Sequence, residues 1–278
     1  MKVKLITLCE NTAGKPGFMS EWGLSILVQV DHEHILFDTG GSFAAVRNAD
    51  KLGIDLLPID TIVLSHGHAD HMGGLCEVLR RTGNAEIIAH PAMWEQKYTK
   101  RPDEKEARYI GIPFTRDELE RLGASFKLST EPIHVSDTVM TTGEISITTD
   151  FEAVEPIFYV REGDTLRSDS IPDDLALVVR TDKGLVILLG CAHRGMINTI
   201  RHAQEITGEA RIHTVVGGTH LFPKTDEQVE KTIAALKEIG VQKIGVSHCT
   251  GFKASVRLGQ EFGNDFFLNN AGSIHELD

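Results

Sequence analysis

The most informative stretch of the chain is Ile62-Val-Leu-Ser-His66-Gly-His68-Ala-Asp70-His71-Met-Gly73-Gly74, in which an apolar run ends in a polar loop. Three imidazoles and one carboxylate fall within six residues of it. Packing gives little reason to collect such groups at a strand end, whereas Zn²⁺, Fe and Mn²⁺ prefer neutral imidazole and carboxylate donors. The small residues Gly67 and Ala69 let the loop curl so that alternate side chains converge. The stretch therefore predicts a metal-binding loop, the alternative being a polar loop that only leads into a helix.

Strands and helices alternate on both sides of this loop. The predicted strands cover residues 24–30, 34–38, 61–65, 86–89, 175–181, 185–189, 212–216 and 243–247. The predicted helices cover residues 42–52, with Ser42 as N-cap, and 73–81, 196–207, 225–239 and about 251–262. This alternation favours the α/β class, with two packed sheets and helices outside. Residues 91–165 fit the pattern less well, and we interpret them as an elaboration with helices near 91–98 and 115–122 and strand-like pieces within 133–149.

The composition is that of a globular protein. Of 278 residues, 41% are hydrophobic, and no apolar run approaches the roughly 20 residues that span a bilayer. The formal net charge of −12, without a basic block, argues against nucleic acid as the main ligand. A small anionic substrate stays possible, because bound dications reverse the local field. The four cysteines lack short paired spacing, which is typical of reduced thiols, and we expect a cytoplasmic location with no membrane partner. The oligomeric state is left open.

The motif His-x-His-x-Asp-His after an apolar strand resembles the signature of the metallo-β-lactamase superfamily. Upstream, Ile35-Leu-Phe-Asp38-Thr-Gly40 is similar to that family's strand ending in Asp-x-Gly. The resemblance implies that Asp38 braces the histidine loop, the alternative being an ordinary turn carboxylate. It implies two metal sites with these ligands: His66 and His68 for the first metal, and Asp70 and His71 for the second.

The second half of the chain supplies further donors. The apolar run Leu185-Val-Ile-Leu-Leu-Gly-Cys191-Ala-His193 ends in a thiol and an imidazole. Most of the superfamily has a bridging Asp at such a strand end, and one zinc β-lactamase subclass has a Cys that binds the second metal. The resemblance thus makes Cys191 a candidate ligand, with an inert buried thiol as the alternative. The family's His before this hairpin is absent, and we predict that His193 replaces it, with Asp174 as the weaker substitute.

Two late strands also end in histidine. Ile244-Gly-Val-Ser-His248 predicts His248 as the last ligand of the second metal. The run Val215-Val-Gly-Gly-Thr-His220 has the same shape, and we predict that His220 lines the pocket, where it binds substrate or donates a proton. A structural role is the alternative for that histidine. Backbone amides in the turns after these strands favour an anionic group of the substrate. The residues predicted to bind it are Gly218, Thr250 and Gly251.

Several short motifs occur together and narrow the resemblance to one subgroup. They are Glu10-Asn11, Glu21-Trp-Gly-Leu-Ser25, Gly-Cys191-Ala-His193-Arg-Gly, Gly-Gly-Thr-His220-Leu and His248-Cys-Thr-Gly251. The combination resembles the dihydropteroate-synthase-like subgroup of the superfamily over nearly the whole chain outside 91–165. The resemblance implies a single domain over residues 1–278, a four-layer αββα sandwich with an inserted segment at about 91–165.

The same resemblance implies a metal-dependent hydrolase with two divalent transition-metal ions, Zn first and Fe or Mn as alternatives. Asp70 would help orient a water activated by the two metals, and His220 would assist, on a phosphate-containing small molecule. Two alternatives stay open. One is a pterin-type transferase that joins a pterin methyl carbon to an aminobenzene ring with loss of pyrophosphate. The other is a non-catalytic sensor of a metal or ligand.

Overall fold

The computed structural model describes residues 1–277. The helices are α1 (Ala44–Leu52), α2 (Ala69–Met72), α3 (Leu75–Thr82), α4 (Arg116–Arg121), α5 (Met196–Thr207), α6 (Asp226–Ile239) and α7 (Phe252–Phe262), with 3₁₀ turns at Pro91–Trp94, His248–Thr250 and Gly263–Asp265. The strands are β1 (Val3–Cys9), β2 (Ser25–Val30), β3 (Glu33–Phe37), β4 (Thr61–Val63), β5 (Ala85–Ala89), β6 (Lys97–Thr99), β7 (Arg108–Tyr109), β8 (Ala124–Leu128), β9 (Val139–Thr141), β10 (Phe158–Glu162), β11 (Thr165–Ser168), β12 (Ala176–Thr181), β13 (Gly184–Leu189), β14 (Ile212–Gly218), β15 (Lys243–Ser247), β16 (Phe266–Leu268) and β17 (Ile274–Leu277). Within this part of the chain, no helix is long and apolar enough to cross a membrane.

Two large mixed sheets carry the fold. The first has the order β17-β1-β2-β3-β4-β5-β8, and the second has the order β16-β15-β14-β13-β12-β9. Strands β3, β4, β5 and β8 are parallel neighbours in the first sheet, as are β13, β14, β15 and β16 in the second. Strand β13 is buried along its whole length, which explains its unbroken apolar sequence. The side chains that follow such parallel strands collect at one edge of each sheet.

Three apolar layers separate four layers of secondary structure. One packs α1, α3 and α4 against the first sheet, one lies between the sheets, and one packs α5, α6 and α7 against the second sheet. In β3, Leu36 faces the helices whereas Ile35 and Phe37 face the other sheet, as the two-residue period of a strand requires. The predicted four-layer αββα sandwich is confirmed.

The segment predicted as an elaboration, about 91–165, is only partly one. Strand β8 pairs with β5 in the first sheet, and β9 pairs with β12 in the second, so both belong to the scaffold. Strands β6, β7, β10 and β11 form a separate four-stranded sheet. The helix predicted near 91–98 is wrong, because Pro91–Trp94 makes only a 3₁₀ turn and Lys97–Thr99 pairs with the distant β10. The helix predicted near 115–122 is confirmed as α4, which Thr115 and Glu118 cap reciprocally.

Two helix starts differ from the predictions. Phe43 precedes α1 as its N-cap, and the Ser42 hydroxyl instead donates a hydrogen bond to Glu21. The helix predicted over 73–81 begins only at Leu75. Before it, the chain packs so closely that a Cβ at Gly73 would lie 2.1 Å from the Gly41 carbonyl oxygen. This close packing explains why two glycines follow the histidine loop.

Candidate metal centre

Polar side chains from five strand ends meet at one edge of the sandwich. They include Asp38 after β3, His66 after β4, Cys191 after β13, His220 after β14 and His248 after β15. Four non-glycine residues in these turns have left-handed backbone, with φ between 48° and 57°: Asp38, Ala192, His220 and His248. Such strain persists only where surrounding contacts hold it, and it concentrates at functional sites.

The first cluster of donors consists of His66, His68 and His193. One ligand atom from each lies within 4.8 Å of the others. The Nε2 atom of each ring is buried without a hydrogen-bond partner. Burial lowers the pKa of all three rings, that of His68 to about 3, so they are neutral at pH 7. Converging, unpartnered and neutral imidazoles fit a bound transition-metal ion.

The second cluster consists of Asp70, His71 and His248. The Nε2 atom of His248 lies 3.2 Å from Nε2 of His71 and 3.3 Å from Oδ2 of Asp70. Burial alone would raise the pKa of Asp70, but His71 and His248 hold it below its usual range, so the carboxylate is ionised. These donors fit a second metal ion.

Cys191 lies where the two clusters join. Its Sγ is 3.2 Å from Nε2 of His71, and it also groups with His66 and His71 within 4.8 Å. Burial raises the pKa of this thiol well above its ordinary value, so a bound cation is needed for it to ligate as a thiolate.

Asp38 contacts the histidine loop through its carboxylate. It is fully buried, and its oxygens accept hydrogen bonds from the Ser65 amide and hydroxyl at 2.7 Å. Its Oδ2 lies 2.7 Å from Nδ1 of His71, which directs Nε2 of that ring into the second cluster. Burial would lower the pKa of His71, but Asp38 and Asp70 raise it to about 9.

Asp174 belongs to neither cluster. Its Oδ2 accepts a hydrogen bond from the Arg194 amide at 2.8 Å, and burial raises its pKa to about 7. The geometry therefore favours His193 over Asp174 as the third donor beside His66 and His68.

An ion-paired network supports the histidine loop. The Lys97 ammonium lies 2.9 Å from Oδ2 of Asp169 and 2.8 Å from Oδ1 of Asp173, and all three side chains are buried. The other oxygen of Asp173 accepts a hydrogen bond from the Gly67 amide at 2.6 Å. The sequence does not predict this network, because a single lysine in a short strand carries no motif.

His220 lies at the edge of the first cluster. Its ring centroid is 4.2 Å from that of His193, and its Nδ1 is 3.2 Å from Oε2 of Glu155, which also pairs with Lys224. Burial would lower the pKa of His220, but the Glu155 carboxylate raises it above its ordinary value. This arrangement favours a charged imidazolium beside the centre. Glu155 and Lys224 were missed because each stands alone in a polar segment.

The start of the chain orients His248. Oε1 of Glu10 accepts a hydrogen bond from the His248 amide at 2.6 Å. Oδ1 of Asn11 lies 2.9 Å from Nδ1 of His248, which leaves Nε2 of that ring facing Asp70. The Glu10-Asn11 motif, noted in the sequence without a role, thus supports a candidate ligand.

The three residues predicted to bind an anion differ in position. Gly218 is buried at the end of β14, where a Cβ would lie 2.3 Å from the Gly190 carbonyl oxygen, so close packing explains this glycine. Thr250 is also buried, and its Oγ1 accepts a hydrogen bond from the Thr219 hydroxyl at 3.0 Å. Thr250 and Gly251 line a groove beside the centre, and Gly218 does not line that groove.

Comparison with known proteins agrees with the fold. The family model described as the metallo-β-lactamase superfamily matches residues 23–145. The crystal structure of Tm1679, described as a metal-dependent hydrolase of the β-lactamase superfamily, superposes with a TM-score of 0.86 at 32% identity, covering 99% of each chain. The chain belongs to the metallo-β-lactamase superfamily.

Two relatives from Methanocaldococcus jannaschii are similar over almost the full length. One is 7,8-dihydropterin-6-methyl-4-(β-D-ribofuranosyl)-aminobenzene-5′-phosphate synthase, 35% identical over 98% of this chain and 96% of that protein. The other, the uncharacterized protein MJ0448, is 31% identical over 96% of this chain and 97% of that protein.

Proposed function

We propose that the chain is a metal-dependent transferase that joins a pterin-type methyl diphosphate to a phosphorylated aminobenzene. The observation that carries this proposal is the 35% identity, over nearly the whole of both chains, to a synthase whose name describes that product. The donor clusters support the metal dependence, since His66, His68 and His193 present unpartnered buried nitrogens.

The reaction balances without a redox partner. The aromatic amine nitrogen forms a bond to the methylene carbon on the pterin, the C–O bond to the diphosphate breaks, and diphosphate leaves with both electrons of that bond. The amine gives up one proton. When bound at these donors, two divalent ions would supply Lewis acidity that stabilises the departing diphosphate.

The protein's own residues supply orientation and charge. Asp38 and the Glu10-Asn11 pair fix the rings of His71 and His248. His220, whose pKa the Glu155 carboxylate raises, can donate a hydrogen bond to the leaving diphosphate as its negative charge grows. These contacts favour an anionic leaving group at the centre.

Hydrolysis is the second candidate. It is favoured by the likeness to Tm1679, which is described as a metal-dependent hydrolase. The same donors would serve both reactions, and the difference is whether water or an aromatic amine attacks. A substrate that carries phosphate is common to both candidates.

The deciding experiment measures diphosphate release from a 7,8-dihydropterin methyl diphosphate with and without a ribofuranosyl aminobenzene phosphate. We expect release to require the amine and to yield the coupled product by mass spectrometry. His68→Ala should abolish it, whereas the control His32→Ala, at an exposed turn, should not. Equal release of diphosphate without the amine, with hydroxymethyl pterin as product, would contradict transfer and support hydrolysis.

A further inference from the structure

An apolar groove of about 510 Å³ lies between α6 and α7, beside the metal centre. We call it the aromatic groove, defined by Leu221, Phe222, Val229, Phe252 and Ala254 among its lining residues. Its two phenylalanines are unusually accessible, with Phe222 67% exposed and Phe252 86% exposed. The volume is typical of a small-molecule site, and a paired exposure of large rings indicates a binding surface.

The aromatic groove adjoins the metal centre through Cys249, the residue that follows the candidate ligand His248. The His220 amide donates to the Cys249 thiol at 3.3 Å, and the Phe222 amide donates to the Cys249 carbonyl at 3.1 Å. The Phe222 ring also packs on Gly251, where a Cβ would lie 2.7 Å from it. His220 lies beside the centre and Phe222 lines the groove, and the Cα atoms of these two residues are at most about 7 Å apart. That separation is within the length of a heterocycle that carries a diphosphate.

The charges of the groove select the kind of group that enters it. The cations that line it are already paired: Lys224 with Glu155, Lys253 with Asp226, and Arg257 with Glu230. Since each of these cations already has a carboxylate partner, the groove favours a ring over a phosphate. The carboxylates of Asp226 and Glu230 can still accept N–H groups from the edge of an amino-substituted heterocycle.

We propose that the aromatic groove binds a planar amino-heterocycle of the pterin class, while the diphosphate attached to it lies at the metal centre. Phe222 and Phe252 supply stacking surface, which aromatic side chains offer to flat heterocycles. The identity of the ring rests on the proposed function, whereas its location rests on the groove itself.

The test is a fluorescence titration of the metal-loaded full chain with 6-hydroxymethylpterin. We expect Phe222→Ala and Phe252→Ala each to raise Kd about tenfold, because each variant removes one aromatic side chain on which the bound ring stacks. Metal content should not change. The control Leu57→Ala removes a side chain of similar exposure, 65%, outside the groove, and should leave Kd unchanged.

Three results would overturn the proposal. They are absence of pterin binding to the unmodified chain, an unchanged Kd in both phenylalanine variants, or a change in sedimentation of those variants without a change in Kd. The last would indicate an interface between copies. Amine-dependent turnover that neither variant alters would support the proposed function and contradict pterin binding in the aromatic groove. Pterin binding that depends on both phenylalanine rings, in a chain without turnover, would support the aromatic groove and contradict the proposed function.

Discussion

Glu155 sets the charge of His220 although the two residues lie far apart in sequence. Oε2 of Glu155 is 3.2 Å from Nδ1 of His220, and Lys224 holds the carboxylate in place. Burial alone would leave the imidazole neutral at physiological pH. The pair thus favours the protonated form of a buried ring.

This pairing predicts a change in pH dependence. The pKa of His220 is raised by Glu155, so activity that needs the protonated ring is lost as pH rises through that pKa. In Glu155→Gln the pKa of His220 should fall, and the alkaline limb of kcat should move about one unit lower. Glu162→Gln, at an exposed position in β10, is the control. If the alkaline limb of the pH profile does not move, His220 has only a structural role.

The two candidates for the third donor of the first cluster, His193 and Asp174, predict opposite effects of mutation on metal content. His193→Ala should lower affinity for the first metal at least tenfold, because one of three converging nitrogens is lost. Asp174→Asn should leave metal content unchanged, since Asp174 accepts from the Arg194 amide instead. Elemental analysis after dialysis against a weak chelator measures both. Metal loss in Asp174→Asn with retention in His193→Ala would reverse the assignment.

Short elements, more than helices, position the site. Strand β6 places Lys97 against Asp169 and Asp173, and Asp173 then binds the Gly67 amide in the histidine loop. These contacts tie the small four-stranded sheet to the centre. The ammonium is fully buried, so its two carboxylate partners depend on it for compensation.

Removal of that lysine should therefore be costly. Lys97→Met should lower the free energy of unfolding by about 3 kcal/mol, because two buried carboxylates lose their counter-ion. The triple variant Lys97→Met, Asp169→Asn, Asp173→Asn should recover part of the loss. Urea unfolding compares these with the exposed control Lys100→Met. Equal stability of Lys97→Met and the control would show that the network adds nothing to stability.

For the whole molecule, the sequence predicts the elements and donor clusters that depend on residues close together in the chain. The hydrophobic periods of strands and helices predicted the bounds of the elements in the second half closely, because each element is long and regular. Helix α5, for example, covers Met196–Thr207. The dense loop from His66 to His71 predicted clustered donors, and the structure places them together. Strands β8 and β9 were not assigned to the main sheets because their pairing is non-local. Glu155 escaped detection for the same reason, since only the fold brings it to His220.

The residues that follow β4, β13 and β15 are expected to bind two metal ions. Anomalous diffraction at the absorption edge of the bound metal, on crystals of protein never exposed to chelator, tests this expectation most directly. We expect two peaks per chain, one among His66, His68 and His193 and one among Asp70, His71 and His248. No peak, or peaks confined to other parts of the chain, would contradict it.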